Sequence, residues 1–141
     1  SSDLPYDSDG ALPWRGRLVS EREMWVEAAE KASRRSKTDI GIVPGGAAMA
    51  RLTDAIAAGT VPGITDIHQL FSDDIHPNDI GFYFLAMVHY AALTGNTPVE
   101  LPHQLYNQYA QPFDAPSPEL AASLQEIAWE AVQAGTAPEA P

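Results

Sequence analysis

Residues 38–58 read TDIGIVPGGAAMARLTDAIAA and decide the fold class that the sequence predicts. Apolar β-branched residues at 38–43 favour a strand, and the Pro-Gly-Gly run at 44–46 favours a turn. The alanine-rich stretch after the turn predicts a helix that ends near Gly59. Its apolar side chains would share one face: Met49, Leu52 and Ile56.

A second helix is predicted before this strand. Ser20-Glu21-Arg22-Glu23 matches a capping box, in which Ser20 and Glu23 satisfy each other's backbone N–H groups, and would open a helix of about sixteen residues. Residues 1–19 are rich in Pro, Gly, Ser and Asp and are predicted to form a loop or extended segment. The helix would bury one face: Met24, Trp25, Ala28, Ala29 and Ala32.

The order helix, strand, helix is typical of a doubly wound α/β protein. Only residues 38–43 read clearly as a strand, and one strand cannot make a sheet. We therefore expect this chain to be one part of an α/β domain that needs a complementary chain or self-association to fold stably, with another chain packed against Ile40 and Ile42.

Two more helices are predicted further along the chain. A loop at 60–72 leads to a helix from about 78 to 94, which Gly95 ends. A segment rich in proline and aromatic residues follows, and Ser117-Pro118-Glu119 then begins a helix that runs to about Gln133. Their predicted core positions are Ile80, Phe84, Met87, Val88 and Ala91 in the first helix, and Leu120, Leu124, Ile127 and Ala131 in the second.

Charge is distributed unevenly over the 141 residues. Residues 1–51 hold all eight Lys and Arg, whereas residues 52–141 hold none and account for the net charge of −11. Such an acidic surface repels nucleic acid and anionic membranes, so neither is expected as a partner. No apolar run is long enough for a membrane span, and the absence of cysteine excludes disulfides. We expect residues 1–110 to form the main body and residues 111–141 an extension packed on it.

Residues 72–83, SDDIHPNDIGFY, contain the side chains best suited to catalysis. Asp73 stands three residues before His76, so its carboxylate is positioned to accept a hydrogen bond from one imidazole nitrogen and leave the other nitrogen free as a base. The alternative is that Asp73 or Asp74 caps the following helix and His76 is an ordinary polar loop residue.

The remaining histidines do not form a recognisable metal motif. His68, His89 and His76 can be combined on paper with Asp66 and Asp73, but their spacing matches no zinc signature, so no metal is predicted. His89 is expected to be a structural residue within its helix, and His103 to be solvated in a loop. The glycine pair after the strand lacks the longer pattern and the lysine of a phosphate loop, so no cofactor is predicted.

The run from Asp73 to Gly81, with His76-Pro77 at its centre and Leu70-Phe71-Ser72 before it, resembles the last motif block of the SGNH (GDSL-type) hydrolases. Val43-Pro44-Gly45 and Val61-Pro62-Gly63-Ile64 also resemble linking segments of bacterial members. The resemblance implies that this chain is the C-terminal part of a flavodoxin-like, three-layer αβα fold. It also implies hydrolysis of an ester, from a carbohydrate or a lipid, without a cofactor. It makes His76 the general base and Asp73 its orienting acid, and it favours a secreted or periplasmic location.

The sequence departs from this family at the nucleophile. The Gly-Asp-Ser motif that carries the serine is absent, as is the Gly-x-Asn-Asp motif of the oxyanion hole. The resemblance therefore implies that the serine lies on missing or partner sequence, and that this chain is inactive alone. The competing hypothesis is a non-catalytic binding or interaction module, in which the Asp-x-x-His motif only shapes the turn that leads into the next helix.

Overall fold

The structure, a computed structural model, describes residues 14–136. Within that range the chain forms five α-helices and one short 3₁₀-helix, and no strand pairs into a sheet. The α-helices are α1 (Trp14–Ser20), α2 (Arg22–Ser36), α3 (Gly45–Ala57), α4 (Asp79–Thr94) and α5 (Pro118–Thr136), and the 3₁₀-helix spans Ile67–Leu70.

The predicted α/β, flavodoxin-like three-layer αβα fold is wrong, because the described part of the chain is helical and contains no sheet. Residues 38–43, the predicted strand, follow an irregular path, with Ile40 and Ile42 40% and 44% exposed. The Ile40 N–H donates to the hydroxyl of Ser33 at 2.9 Å instead of to a neighbouring strand. A β-strand is stabilised by its partner's backbone, and no strand within residues 14–136 pairs with this segment.

The hydrophobic core lies between α3, α4 and α5, whose apolar faces cover one another. Phe84 of α4, Leu52 of α3 and Leu124 of α5 are completely buried. Burying each such side chain contributes about 1.5–3 kcal/mol, so this three-helix contact accounts for much of the stability. All predicted core positions of these helices are buried except Ile80 and Ile127, which are partly buried at the margin.

The predicted start of α2 is wrong. A helix already begins at Trp14, so residues 14–19 are not a loop, and the Ser20 hydroxyl donates to the carbonyl of Arg17 at 3.2 Å. Glu21 takes the position before α2 without a side-chain capping bond, so the predicted capping box does not form. The prediction for residues 1–13 falls outside the described residues.

The prediction that α2 buries an apolar face is also wrong. No residue of α2 is buried, and Met24 and Trp25 are 56% and 61% exposed. Together with residues 39–47, α2 borders an apolar groove of about 1030 Å³. The apolar pattern of α2 therefore has no covering surface within residues 14–136.

Helix α5 packs on α4 and α3 and continues to Thr136, past the predicted end near Gln133. The division of the chain at residue 110 stays a prediction.

Candidate functional site

The segment between the 3₁₀-helix and α4 forms a closed loop. Its ends are joined where the Asn78 N–H donates to the Leu70 carbonyl at 2.9 Å and the Ser72 N–H donates to the His76 carbonyl at 2.8 Å. Phe71 and Pro77 face each other in an antiparallel bridge. Because these backbone bonds pin the base of the loop on buried Leu70, its exposed tip has a defined shape.

Asp73 and His76 are in direct contact at this tip. The Nδ1 atom of His76 lies 2.7 Å from Oδ2 of Asp73. The other carboxylate oxygen accepts backbone hydrogen bonds from Ile75 at 2.9 Å and from His76 at 2.7 Å. Both oxygens are thus fixed, so the carboxylate holds the imidazole in one orientation.

Electrostatics define the proton arrangement in the pair. The backbone N–H of Ile75, followed by the side chain and backbone of His76, lowers the pKa of Asp73 from 3.8 to about 2. An ionised carboxylate only accepts hydrogen bonds, so Nδ1 of His76 carries a proton, and in the neutral imidazole Nε2 presents a lone pair. The His76 side chain is 66% exposed, which leaves Nε2 accessible to a reacting group.

The cap of α4 is Asn78. Its side-chain oxygen accepts from the N–H groups of Ile80 and Gly81, both at 3.1 Å, and its amide donates to the Gln69 carbonyl at 2.8 Å. The alternative that Asp73 or Asp74 caps this helix is therefore wrong. Pro77 precedes the cap and lies outside the helix.

Gly81 allows the loop to close on the helix. A Cβ atom at this position would overlap the Leu70 carbonyl oxygen and lie 2.9 Å from Cβ of Pro77. Leu70 ends the 3₁₀-helix and Pro77 belongs to the closed loop, so the absence of a side chain at Gly81 permits this close approach.

A second Asp–His pair, which the sequence analysis did not identify as a pair, lies in the preceding turn. Nδ1 of His68 is 2.6 Å from Oδ1 of Asp66, and the same oxygen accepts from the His68 backbone N–H at 2.9 Å. These bonds lower the pKa of Asp66. Nε2 of His68 is buried without a hydrogen-bond partner, so this pair cannot present a base to a substrate. Its function in the fold is to cap the 3₁₀-helix together with Gln69, a role that the Asp-x-x-Gln spacing could have indicated.

The other histidines lie apart from the pair. Nδ1 of His89, an exposed residue of α4, is 2.7 Å from the carbonyl of Leu85, and His103 is exposed in a loop. Among residues 14–136, no group of three or more acidic or histidine side chains is arranged to hold a metal.

No described serine hydroxyl is hydrogen-bonded to the His76 ring. Ser72, the nearest in sequence, donates to the His76 backbone carbonyl at 3.1 Å. The described residues therefore provide an oriented imidazole without a serine hydroxyl hydrogen-bonded to it.

None of the helices in residues 14–136 has both the length and the apolar character that crossing a membrane requires.

Comparison of the chain with protein families, with curated proteins and with solved structures found no match.

Proposed function

We propose that this chain supplies the general base and its orienting acid to a serine ester hydrolase of the SGNH type. The observation that supports the proposal most strongly is the 2.7 Å contact between Nδ1 of His76 and Oδ2 of Asp73, in a histidine whose side chain is 66% exposed. A carboxylate that fixes one imidazole nitrogen while the other faces the substrate is the arrangement of a Ser-His-Asp triad.

In the proposed reaction, Nε2 of His76 takes the proton of a serine hydroxyl as that oxygen attacks the ester carbonyl. The alcohol leaves with this proton, and an acyl-enzyme remains. His76 then takes a proton from water, which attacks the acyl carbonyl, and His76 gives that proton to the serine oxygen as the acid is released. Asp73 stays ionised throughout and stabilises the imidazolium that forms in each step.

The serine is proposed to lie on missing or partner sequence, on a polypeptide that covers the apolar groove of α2. Trp25, Ile40 and Ile42 are large apolar residues that this groove leaves partly exposed. Exposed apolar patches of this kind mark protein interaction sites. The isolated chain is expected to be inactive, because a base without a nucleophile or oxyanion donors loses most of the rate enhancement.

The first experiment is to purify the tagged chain from its own cells and to measure the intact masses of the polypeptides that accompany it. The proposal predicts a partner, or a longer form of the chain, that contains a Gly-Asp-Ser motif and reacts with a fluorophosphonate probe. Replacement of His76 by Ala should reduce ester hydrolysis by this material at least about 100-fold, the usual contribution of a general base.

His68→Ala is the matched control, since His68 also contacts an aspartate but its other ring nitrogen is buried. It removes the Asp66–His68 contact, so its folding must be checked by circular dichroism. Equal activity of His76→Ala and the parent would contradict the proposal.

A non-catalytic interaction module is the competing function, and the groove along α2 is the observation that favours it. In that case Asp73 organises the loop only through its bonds to the backbone of Ile75 and His76. Partner binding without any esterase activity in the complex would support this function and exclude hydrolysis.

A further inference from the structure

A second cavity, of about 540 Å³, lies between α4 and the segment at 101–114. Phe82 and Ala86 of α4 line one side, and Leu105 and Phe113 line the other. Phe82 and Phe113 are 56% and 44% exposed. The size and the apolar lining are typical of a site for a small molecule.

The segment that forms the outer wall is anchored at both ends. The Tyr83 hydroxyl donates to the Pro102 carbonyl at 3.1 Å, and the Asp114 N–H donates to Oδ2 of Asp79 at 2.8 Å. Between these anchors, its own hydrogen bonds run from Phe113 N–H to the Leu105 carbonyl at 3.0 Å and from the Gln104 amide to the Phe113 carbonyl at 2.8 Å. The cavity is therefore formed before a ligand enters, which reduces the entropic cost of binding.

The charged groups at this cavity determine the kind of ligand it accepts. Its ionisable lining residues are Asp79, Asp114, His89, His103 and Tyr83, and no lysine or arginine lines it. The sequence from 52 to 141 also contains no lysine or arginine. The local potential is therefore negative and disfavours a carboxylate or another anion, whereas a neutral apolar group meets no such penalty.

The cavity begins close to the Asp73–His76 pair. Asp79, at its near end, follows His76 by three residues, and three residues span at most about 11 Å. We infer that the cavity binds a neutral, apolar group, and that this group is the acyl chain of the ester attacked beside His76. The binding of an apolar group stands independently, whereas its assignment as an acyl chain depends on the proposed function.

Binding is measured with N-phenyl-1-naphthylamine, a neutral fluorescent probe, displaced by the straight-chain alcohols from butanol to octanol. Each added CH₂ group that enters the cavity should tighten binding about fourfold. Octanoate should compete much more weakly than octanol because it is anionic.

Ala86→Trp should fill the cavity and remove displaceable probe binding, and Phe82→Ala should weaken it severalfold. Phe82→Ala is the safer variant, because its side chain is largely exposed and the fold does not depend on it. Leu93→Ala is the control, since Leu93 is 76% exposed on the same helix and does not line the cavity.

Absence of saturable, displaceable binding to the parent, or equal binding by the parent and by folded Phe82→Ala, would overturn the inferred site. In the complete enzyme, Phe82→Ala should reduce kcat/KM for p-nitrophenyl octanoate more than for the acetate. Equal reductions would overturn the acyl assignment. If His76→Ala binds alcohols normally but has parental esterase activity, the proposed function fails while the apolar site stands.

Discussion

Replacement of Gly81 by Ala tests how the loop that carries the Asp–His pair is held. The new Cβ atom would collide with the Leu70 carbonyl oxygen and approach Cβ of Pro77 to 2.9 Å. Neither neighbour is the flexible end of a side chain, so the loop has to move away from α4. That movement stretches the 2.9 Å hydrogen bond from the Asn78 N–H to Leu70.

The expected cost combines three contributions. Overpacking at a close contact costs about 1–3 kcal/mol. Weakening the hydrogen bond costs about 0.5–1.5 kcal/mol. The higher helix propensity of Ala offsets up to about 1 kcal/mol of this destabilisation. The free energy of unfolding should fall by about 2 kcal/mol, which corresponds to roughly 6 °C in Tm for a chain of this length.

Urea unfolding followed by circular dichroism measures this change, with Gly46→Ala as the control. A Cβ atom at Gly46 would meet its nearest neighbour, the Leu18 carbonyl oxygen, at 3.7 Å, an ordinary contact, so this variant should be neutral or more stable by up to about 1 kcal/mol. If Gly81→Ala is as stable as Gly46→Ala, the Leu70 carbonyl and Pro77 do not approach Gly81 closely in solution.

Three further predictions concern the core, the buried polar contacts and the acidic group of the site. Leu124→Ala should lower the free energy of unfolding by about 2–5 kcal/mol in urea titrations, while exposed Leu93→Ala should change it by less than about 0.5 kcal/mol; similar values for both would contradict the described core. Gln125→Leu should lower the free energy of unfolding by about 1–3 kcal/mol in the same assay, because the backbone groups of residues 100 and 101 that bond to the Gln125 amide would lose their buried partner. An unchanged urea midpoint would show that those bonds contribute nothing to stability. The Asp73 carboxyl carbon should titrate near pH 2 in NMR spectra. The stability that the ionised carboxylate provides is therefore present above about pH 4 and is lost as the pH falls towards 2. A titration midpoint at the ordinary value of 3.8 would show that the hydrogen bonds to Asp73 are absent in solution.

Local sequence signals predicted the second half of the chain well. The 3.6-residue period of apolar residues and Gly95 located α4, and Gly95 adopts the left-handed conformation that its position after the helix requires. Ser117 caps α5 by accepting from the Leu120 N–H at 3.1 Å. The three-residue spacing also led to the expected contact between Asp73 and His76, because a turn brings such residues together regardless of the rest of the fold.

The failures arose where a local pattern needs a distant partner. The apolar residues at 38–43 have β-strand character, but a strand forms only beside another strand, and periodicity within one segment cannot reveal whether that neighbour exists. The prediction that Ser20 caps α2 failed because Ser20 belongs to α1, and the Pro- and Gly-rich composition of residues 1–19 did not indicate that helix. The close contact at Gly81 depends on the loop before it, so it was not visible in the sequence of α4 alone.

The proposal that Asp73 orients His76 for catalysis is tested by measuring kcat/KM of the proposed complete hydrolase carrying Asp73→Asn. The Asn side-chain oxygen can still accept from the N–H groups of Ile75 and His76, so the loop keeps its shape. Its amide nitrogen, however, cannot accept the proton of Nδ1 and favours the wrong tautomer. We expect a protein that still folds, with a modestly lower Tm because the carboxylate charge is lost, and whose kcat/KM falls by about 10⁴. A folded variant with parental kcat/KM would contradict the claim and leave Asp73 with a structural role alone.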